Sequence, residues 1–181
     1  VGALRAVVKW AGESRENMHG SSTWDLGREL PKADPSKFLR HVEAWNAAFP
    51  KFSTWGVDAS VWQDRGMLPL DAIALSINAA KWGIQTLLSS GQTLHEAASR
   101  CTIRLASTTD IISTAAAIRG LRVAFATMIE ELGCDPESAP LWIESRTTSI
   151  FGVSDIIEDN LLRHTVMAYG AVLGGADSIE V

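Results

Sequence analysis

The chain lacks most of what marks a secreted, membrane-embedded or nucleic-acid-binding protein. It has two cysteines, Cys101 and Cys134, in 181 residues. They lie too far apart for a CxxC motif, so both are expected to be free thiols in a reducing compartment. No apolar run reaches the roughly 18–20 residues of a membrane span; the stretch 114–128 is apolar, but Arg119 and Arg122 interrupt it. The opening VGALRAVVKW has no charged segment followed by a long apolar block, so no secretory leader is read there. Basic residues are few and scattered: 16 Lys and Arg against 21 Asp and Glu leave a formal charge of −5. That balance argues against a polyanionic partner. The expectation is a cytoplasmic chain with no nucleic acid and no membrane among its partners. Glycine-rich phosphate motifs are missing too, since no GxGxxG or GxxxxGK[ST] follows any expected strand.

What is present is a core. Hydrophobic residues make up 46% and charged residues 20%, enough for one packed domain. Residues 1–34 are expected to be a poorly defined N-terminal segment, with 3–11 a short helix or strand. The stretch 12–34 is polar, with Ser21, Ser22, Asp25 and Pro31, and reads as a loop. From Asp34 the pattern sharpens. Asp34 and Pro35 are an N-cap and a first helical position, and Phe38, Val42, Trp45 and Phe49 follow at helical spacing before Pro50. Strands are expected at 52–61, 101–106, 141–147 and 176–181. Helices are expected at 67–89, 93–99, 107–132 and 154–173, with Gly91, Gly133 and the pair Gly174-Gly175 as stops. Strands alternating with long helices imply parallel βαβ units. Right-handed crossovers then allow either an open doubly wound sheet or a barrel. The chain begins without Met and ends inside an expected strand, so it is expected to be a piece of a longer polypeptide.

Three segments carry a resemblance. The helix AAIRGLRVA (116–124) resembles the AKxRAxRxLWA helix of methylmalonyl-CoA mutases. The segment DNLLRHTVMAYGAVLGGADS (159–178) resembles that family's NNxxRTxxEAxAAxxGGxQS, and SVWQDRG (60–66) resembles its YHxQEAG. The resemblance covers roughly residues 52–181, and the Gly-Gly-Ala-Asp-Ser ending is closer to the small-subunit form of the motif. It implies an α/β fold, the C-terminal half of a (β/α)8 TIM-type barrel, with residues 35–181 as the partial barrel domain. It also implies a chemistry: radical interconversion of methylmalonyl-CoA and succinyl-CoA with adenosylcobalamin. The cobalt cofactor sits on a separate domain marked by DxHxxG, a motif this chain does not contain.

Residue by residue, the resemblance implies loss as well as retention. The family's Tyr-His pair before QEAG falls on Ser60 and Val61, and valine donates no hydrogen bond. Its His and Gln on a later strand fall on Glu144 and Arg146, and a carboxylate there repels a substrate carboxylate. Its QSLHTN strand reads Asp177-Ser178-Ile179-Glu180-Val181 here. Arg100 falls on an arginine that touches CoA, and Thr102 on a serine that does likewise. The expected substrate-binding residues are therefore Arg100, Thr102 and Arg146. No catalytic, cofactor-binding or metal-ligating residue is expected. The reading is a small, non-catalytic subunit that binds no cofactor in this segment and pairs with a large catalytic subunit, with adenosylcobalamin in the holoenzyme. The alternative is an acyl-CoA mutase of altered specificity with its own cobalamin domain elsewhere. The open strand edges of a half barrel are expected to make the fragment self-associate.

Other candidates read as structural. Arg119 and Arg122 are expected to form salt bridges, and Arg163 with Asn160 to hydrogen-bond between loops. His95 and His164 have no second His, Cys or carboxylate at metal-ligand spacing, and His41 with Glu43 reads as structural. Ser107, Thr108 and Thr109 read as capping residues, and Asp155, Glu158 and Asp159 as a helix first turn. Trp45 and Trp82 are expected to face the core, Trp10 and Trp24 to pack on something else.

Overall fold

Each long helix begins and ends where its terminal residues dictate. In the computed structural model, which describes residues 2–29, 32–152 and 157–181, Asp34 caps the helix α3 (Pro35–Ala48). Its carboxylate accepts from the backbone N–H groups of Ser36 and Lys37 at 2.9 and 3.4 Å. Thr93 and Glu96 close a reciprocal capping box on α6 (Leu94–Ser99). Asp110 caps α7 (Ile111–Glu131), accepting from Ser113 N–H at 3.0 Å. Gly91 and Gly133 follow α5 (Pro69–Ser89) and α7 with φ of +95° and +92°, the left-handed turn that lets a helix stop. Ser107, Thr108 and Thr109 are thus not the cap. Ser107 ends a strand, and the Thr108 N–H donates to Thr114 Oγ1 at 3.1 Å. The start of the helix expected at 154–173 lies outside the described residues, which show it as α8 (Ile157–Gly174).

Among the described residues five parallel strands lie in the order β1 (Gly20–Asp25), β2 (Phe52–Asp58), β3 (Cys101–Ser107), β4 (Trp142–Thr147), β5 (Ser178–Glu180). Sequence order and spatial order are the same. An open doubly wound sheet reverses its order at a switch point; this one never does, so it is a curled, singly wound partial barrel. Helices α3, α5 and α7 share one face. Trp55, Val57, Cys101, Ile103, Leu105 and Ile143 point outward into a single core with Phe38, Val42, Ile84, Leu87, Ile118, Leu121 and Phe125. Alternation within each strand sends the intervening residues to the concave side.

Two expectations need correction here. The stretch 12–34 is not a loop throughout: α1 (Gly2–Ala11) is followed by a 3-10 turn, then by β1 and the short α2 (Leu26–Glu29). The segment GSSTWD of β1 shows no apolar alternation because its inner face is polar, and its ladder to β2 shifts register between Ser21 and Trp24. The strand expected at 52–61 stops at Asp58. There the Asp58 carboxylate accepts from the Ser60 N–H at 3.1 Å and from its hydroxyl, turning the chain into α4 (Ser60–Gln63).

Helix α7 is long and apolar enough to cross a membrane by length and composition alone. In the fold its buried side chains Ile118, Leu121, Phe125 and Ile129 lie in the core. Its arginines serve the same packing. Arg119 donates to the Leu173 carbonyl at 2.8 Å; Arg122 donates to the carbonyls of Leu141 and Gly175 and pairs with Asp177 at 3.0 Å. A small second cluster holds α1: Ala11 packs with Phe49 and Phe52, beside Trp45 and Met18. Trp10 on the far side of α1 is 78% exposed.

Candidate functional site

The concave face gathers charge. The register aligns Asp58 with Arg104, Arg104 with Glu144, and Arg146 with Glu180 on neighbouring strands. Arg104 is the hub. Its Nε and Nη2 donate to Glu144 Oε2 at 3.0 and 2.7 Å. Its Nη1 lies 3.1 Å from Glu180 and 4.0 Å from Asp58. Burial opposes the charge on Arg104, but the Glu144 hydrogen bonds and the three carboxylates outweigh it and hold the guanidinium above its ordinary value. The other oxygen of Glu144 accepts from Ser21 Oγ at 2.8 Å. Ser21 is on β1 and Glu144 on β4, with β2 and β3 between them, so the bond crosses the hollow of the curled sheet.

Asp25, at the end of β1, completes the rim. Its Oδ1 accepts from the N–H groups of Gly27 and Asp58, both at 2.9 Å. Its Oδ2 is buried, 3.2 Å from Arg28 Nε but without hydrogen-bond alignment. Burial raises its pKa above the ordinary value most strongly; the two backbone donors oppose that, the Asp58 charge adds to it, and Arg28 opposes. A cavity of about 350 Å³ opens among these residues.

The three expected substrate contacts are not brought together. Arg100 precedes β3 and donates to Asn46 Oδ1 at 2.9 Å. Arg146, near the far end of β4, is opposite Ala106, six residues further along β3 than Arg100, about 20 Å at strand rise. Arg146 is held by Asp64, which also accepts from the Thr148 hydroxyl. Thr102 lies between them, 1% exposed, its hydroxyl without a partner among the described residues. Arg146 Nε is likewise buried and unpartnered. Gln63, within SVWQDRG, is a structural clip: its side-chain oxygen accepts from the Ala106 N–H at 2.7 Å.

Sequence reasoning missed Arg104, Asp58, Asp25 and Ser21. Arg104 had a signal: a charged residue flanked by Ile103 and Leu105 in a strand buried on its outer side must face inward. Of the histidines, His95 is exposed, while His164 Nδ1 lies 3.2 Å from Thr147 Oγ1. Among the described residues no three His, Cys, Asp or Glu form a metal cluster.

The family model for methylmalonyl-CoA mutase matches residues 30–181. The chain belongs to the methylmalonyl-CoA mutase family. It is 30% identical over 125 residues to a probable methylmalonyl-CoA mutase small subunit of Mycobacterium tuberculosis, and equally to one of Mycobacterium bovis, covering 69% of this chain and 20% of each relative. It is 27% identical over 127 residues to the methylmalonyl-CoA mutase small subunit of Propionibacterium freudenreichii subsp. shermanii, covering 68% and 19%. The chain thus spans about a fifth of the length of the curated relatives it matches. The family match starts 22 residues before the 52–181 read from motifs, which brings α3 within it.

Proposed function

We propose that this chain is part of a small, non-catalytic mutase subunit that acts in the cytoplasm beside a large subunit. The large subunit carries out the adenosylcobalamin-dependent isomerisation of methylmalonyl-CoA and succinyl-CoA. The small-subunit names of the relatives support the reading. The observation that carries it is the pairing of Glu144 with Arg104. Where the family resemblance implies neutral donors for a substrate, this chain carries charged groups paired with groups of its own: Glu144 with Arg104 and Ser21, Arg146 Nη2 with Asp64. An anionic thioester entering here meets Asp25, Asp58, Glu144 and Glu180.

Adenosylcobalamin supplies the radical chemistry of such mutases. The inner cavity is lined by Ser, Asp, Arg, Val, Thr and Glu and offers no histidine to cobalt, so these residues do not fit the group. The experiment is calorimetry of the full-length protein alone with methylmalonyl-CoA and with adenosylcobalamin, followed by turnover with and without the large subunit. Silence with both ligands and turnover only with the partner are expected. Turnover by this protein alone overturns the reading.

One observation favours the alternative of an acyl-CoA mutase with altered specificity. Two of its proposed substrate contacts, Thr102 and Arg146, each keep a buried polar atom without a partner, as a site awaiting a ligand does; Arg100 is the third. Tight binding of both ligands in the same titrations selects it.

A further inference from the structure

Three oxygens in the hollow lack a donor of their own. The register sets Asp25, Gly56 and Thr102 side by side on β1, β2 and β3. Gly56 carries no side chain, so nothing from β2 at that register stands between the other two. Thr102 is 1% exposed, and its hydroxyl has no hydrogen-bond partner among the described residues. Asp25 Oδ2 is buried in the same condition, near Arg28 Nε but without an aligned donor. Two residues further along β2, Asp58 gives Oδ1 to the N–H and hydroxyl of Ser60, and its Oδ2 has Arg104 Nη1 no nearer than 4.0 Å. All three residues line the cavity of about 350 Å³. Among the described residues β1 and β5 do not pair, and Ser21 beside that opening is exposed, so a solute has a way in.

The lining is short of positive charge. Three carboxylates, Asp25, Asp58 and Glu144, stand against two guanidiniums, Arg28 and Arg104. Arg104 is occupied by two hydrogen bonds to Glu144 and by Glu180 at 3.1 Å. The Arg28 side chain is 66% exposed, so water and salt screen it. Burial first, with the Asp58 charge adding to it, holds the Asp25 carboxyl above its ordinary value, and a cation beside the pair opposes both effects. We propose that this cavity binds a small organic cation, a primary ammonium on a short carbon chain. An ammonium carries three donors, one for each of the oxygens left open on Asp25, Asp58 and Thr102, and its charge answers the surplus carboxylate. Hydrogen bonds from a charged donor to a charged acceptor are the strong class. A bare metal ion fits less well, because among the described residues no three His, Cys, Asp or Glu are placed to hold one. At about 350 Å³ the cavity is at the small end of ligand sites, and Val57 supplies an apolar wall for a few carbons. The site does not depend on whether the chain is a non-catalytic subunit.

The probe is n-propylammonium, with 1-propanol as its uncharged twin, each titrated into the full-length protein and followed by ligand-observed NMR. Propylammonium is expected to bind about tenfold or more tightly than 1-propanol, and to stay bound in an equal concentration of magnesium chloride. Thr102→Val removes a hydroxyl that bonds to nothing in the protein, so the fold is expected to hold while propylammonium binding falls about tenfold, the effect of one hydrogen bond to a charged group. Asp58→Asn keeps the oxygen to which Ser60 donates and removes the charge, and is expected to weaken binding about tenfold as well. Circular dichroism checks the fold of each variant; if one does not fold, the other decides, and the wild-type comparison stands in either case. Equal binding of propylammonium and 1-propanol, or no binding of either, overturns the site. Displacement of propylammonium by an equal concentration of magnesium overturns it too, as does a folded variant that binds like the wild type.

Discussion

Arg104 answers three carboxylates, and the backbone around it leaves little slack. Gly56 is aligned with Thr102 on the adjacent strand, and a Cβ at Gly56 would meet the Thr102 carbonyl oxygen at 1.8 Å. Backbone cannot yield as a side-chain tip can. Gly56→Ala is therefore expected to cost about 3 kcal/mol, the upper end for overpacking, measured as a fall in the urea midpoint. Asp25 gives a pH signature. Its pKa is raised in the folded state, so its contribution to stability is full below the ordinary value of 3.8 and is lost as pH rises through the folded value. Asp25→Asn keeps an oxygen for the Gly27 and Asp58 N–H groups and removes the titration. The variant should gain stability over wild type at pH 7, and the gain should vanish near pH 3; chemical denaturation at the two values decides. At this scale the sequence was only partly legible. Thr102 and Arg146 could be placed on strands from their neighbours, but which carboxylate answers which guanidinium depends on register across strands and on the curl, neither of which local pattern encodes.

The helices were the most readable elements because their signals are local: Asp34-Pro35 at one start, Thr93 with Glu96 at another, glycines at the stops. Asp34→Ala is expected to lower stability by about 1 kcal/mol, the usual worth of a side-chain cap, visible in thermal or urea unfolding. The Asp110 cap titrates in the opposite sense to Asp25. Hydrogen bonds from the Ser113 N–H and hydroxyl hold its carboxyl below the ordinary range. Its contribution is present above 3.8 and fades as pH falls through the lowered value. Strand β1 was unreadable for a physical reason. An element that presents Ser21 and Asp25 to a polar hollow has no apolar period to detect. The turn at Asp58 was hidden similarly, since Val61 prolongs an apolar pattern that the Asp58–Ser60 bonds interrupt.

Across the whole molecule, local patterns left open sheet and barrel equally admissible, and the motif resemblance chose the barrel. The unreversed strand order agrees with that choice, because strands that never switch direction of growth curl to one side, with α3, α5 and α7 packed on the outer face. Among the described residues β1 pairs only with β2 and β5 only with β4. Each leaves a row of backbone donors and acceptors unpaired. The 181-residue chain by itself is therefore expected to self-associate. Sedimentation velocity across a concentration series should show growing species, and a well-folded monomer throughout would contradict this. Exposed apolar residues on the last helix, Leu161 at 70% and Val172 at 61%, add to the tendency.

The position of Cys101 turns the molecule into its own clock. The thiol opens β3 from inside the core, fully buried, and burial pushes its pKa up, so almost no thiolate exists while the sheet is intact. Cys134 sits partly exposed beyond α7. Mixed with a chromogenic disulfide reagent, the protein should consume one equivalent quickly at Cys134. The second should be consumed only at the rate at which the strand–helix packing around Cys101 comes apart, so that the slow phase, followed against urea, times the opening of this sheet without any added label.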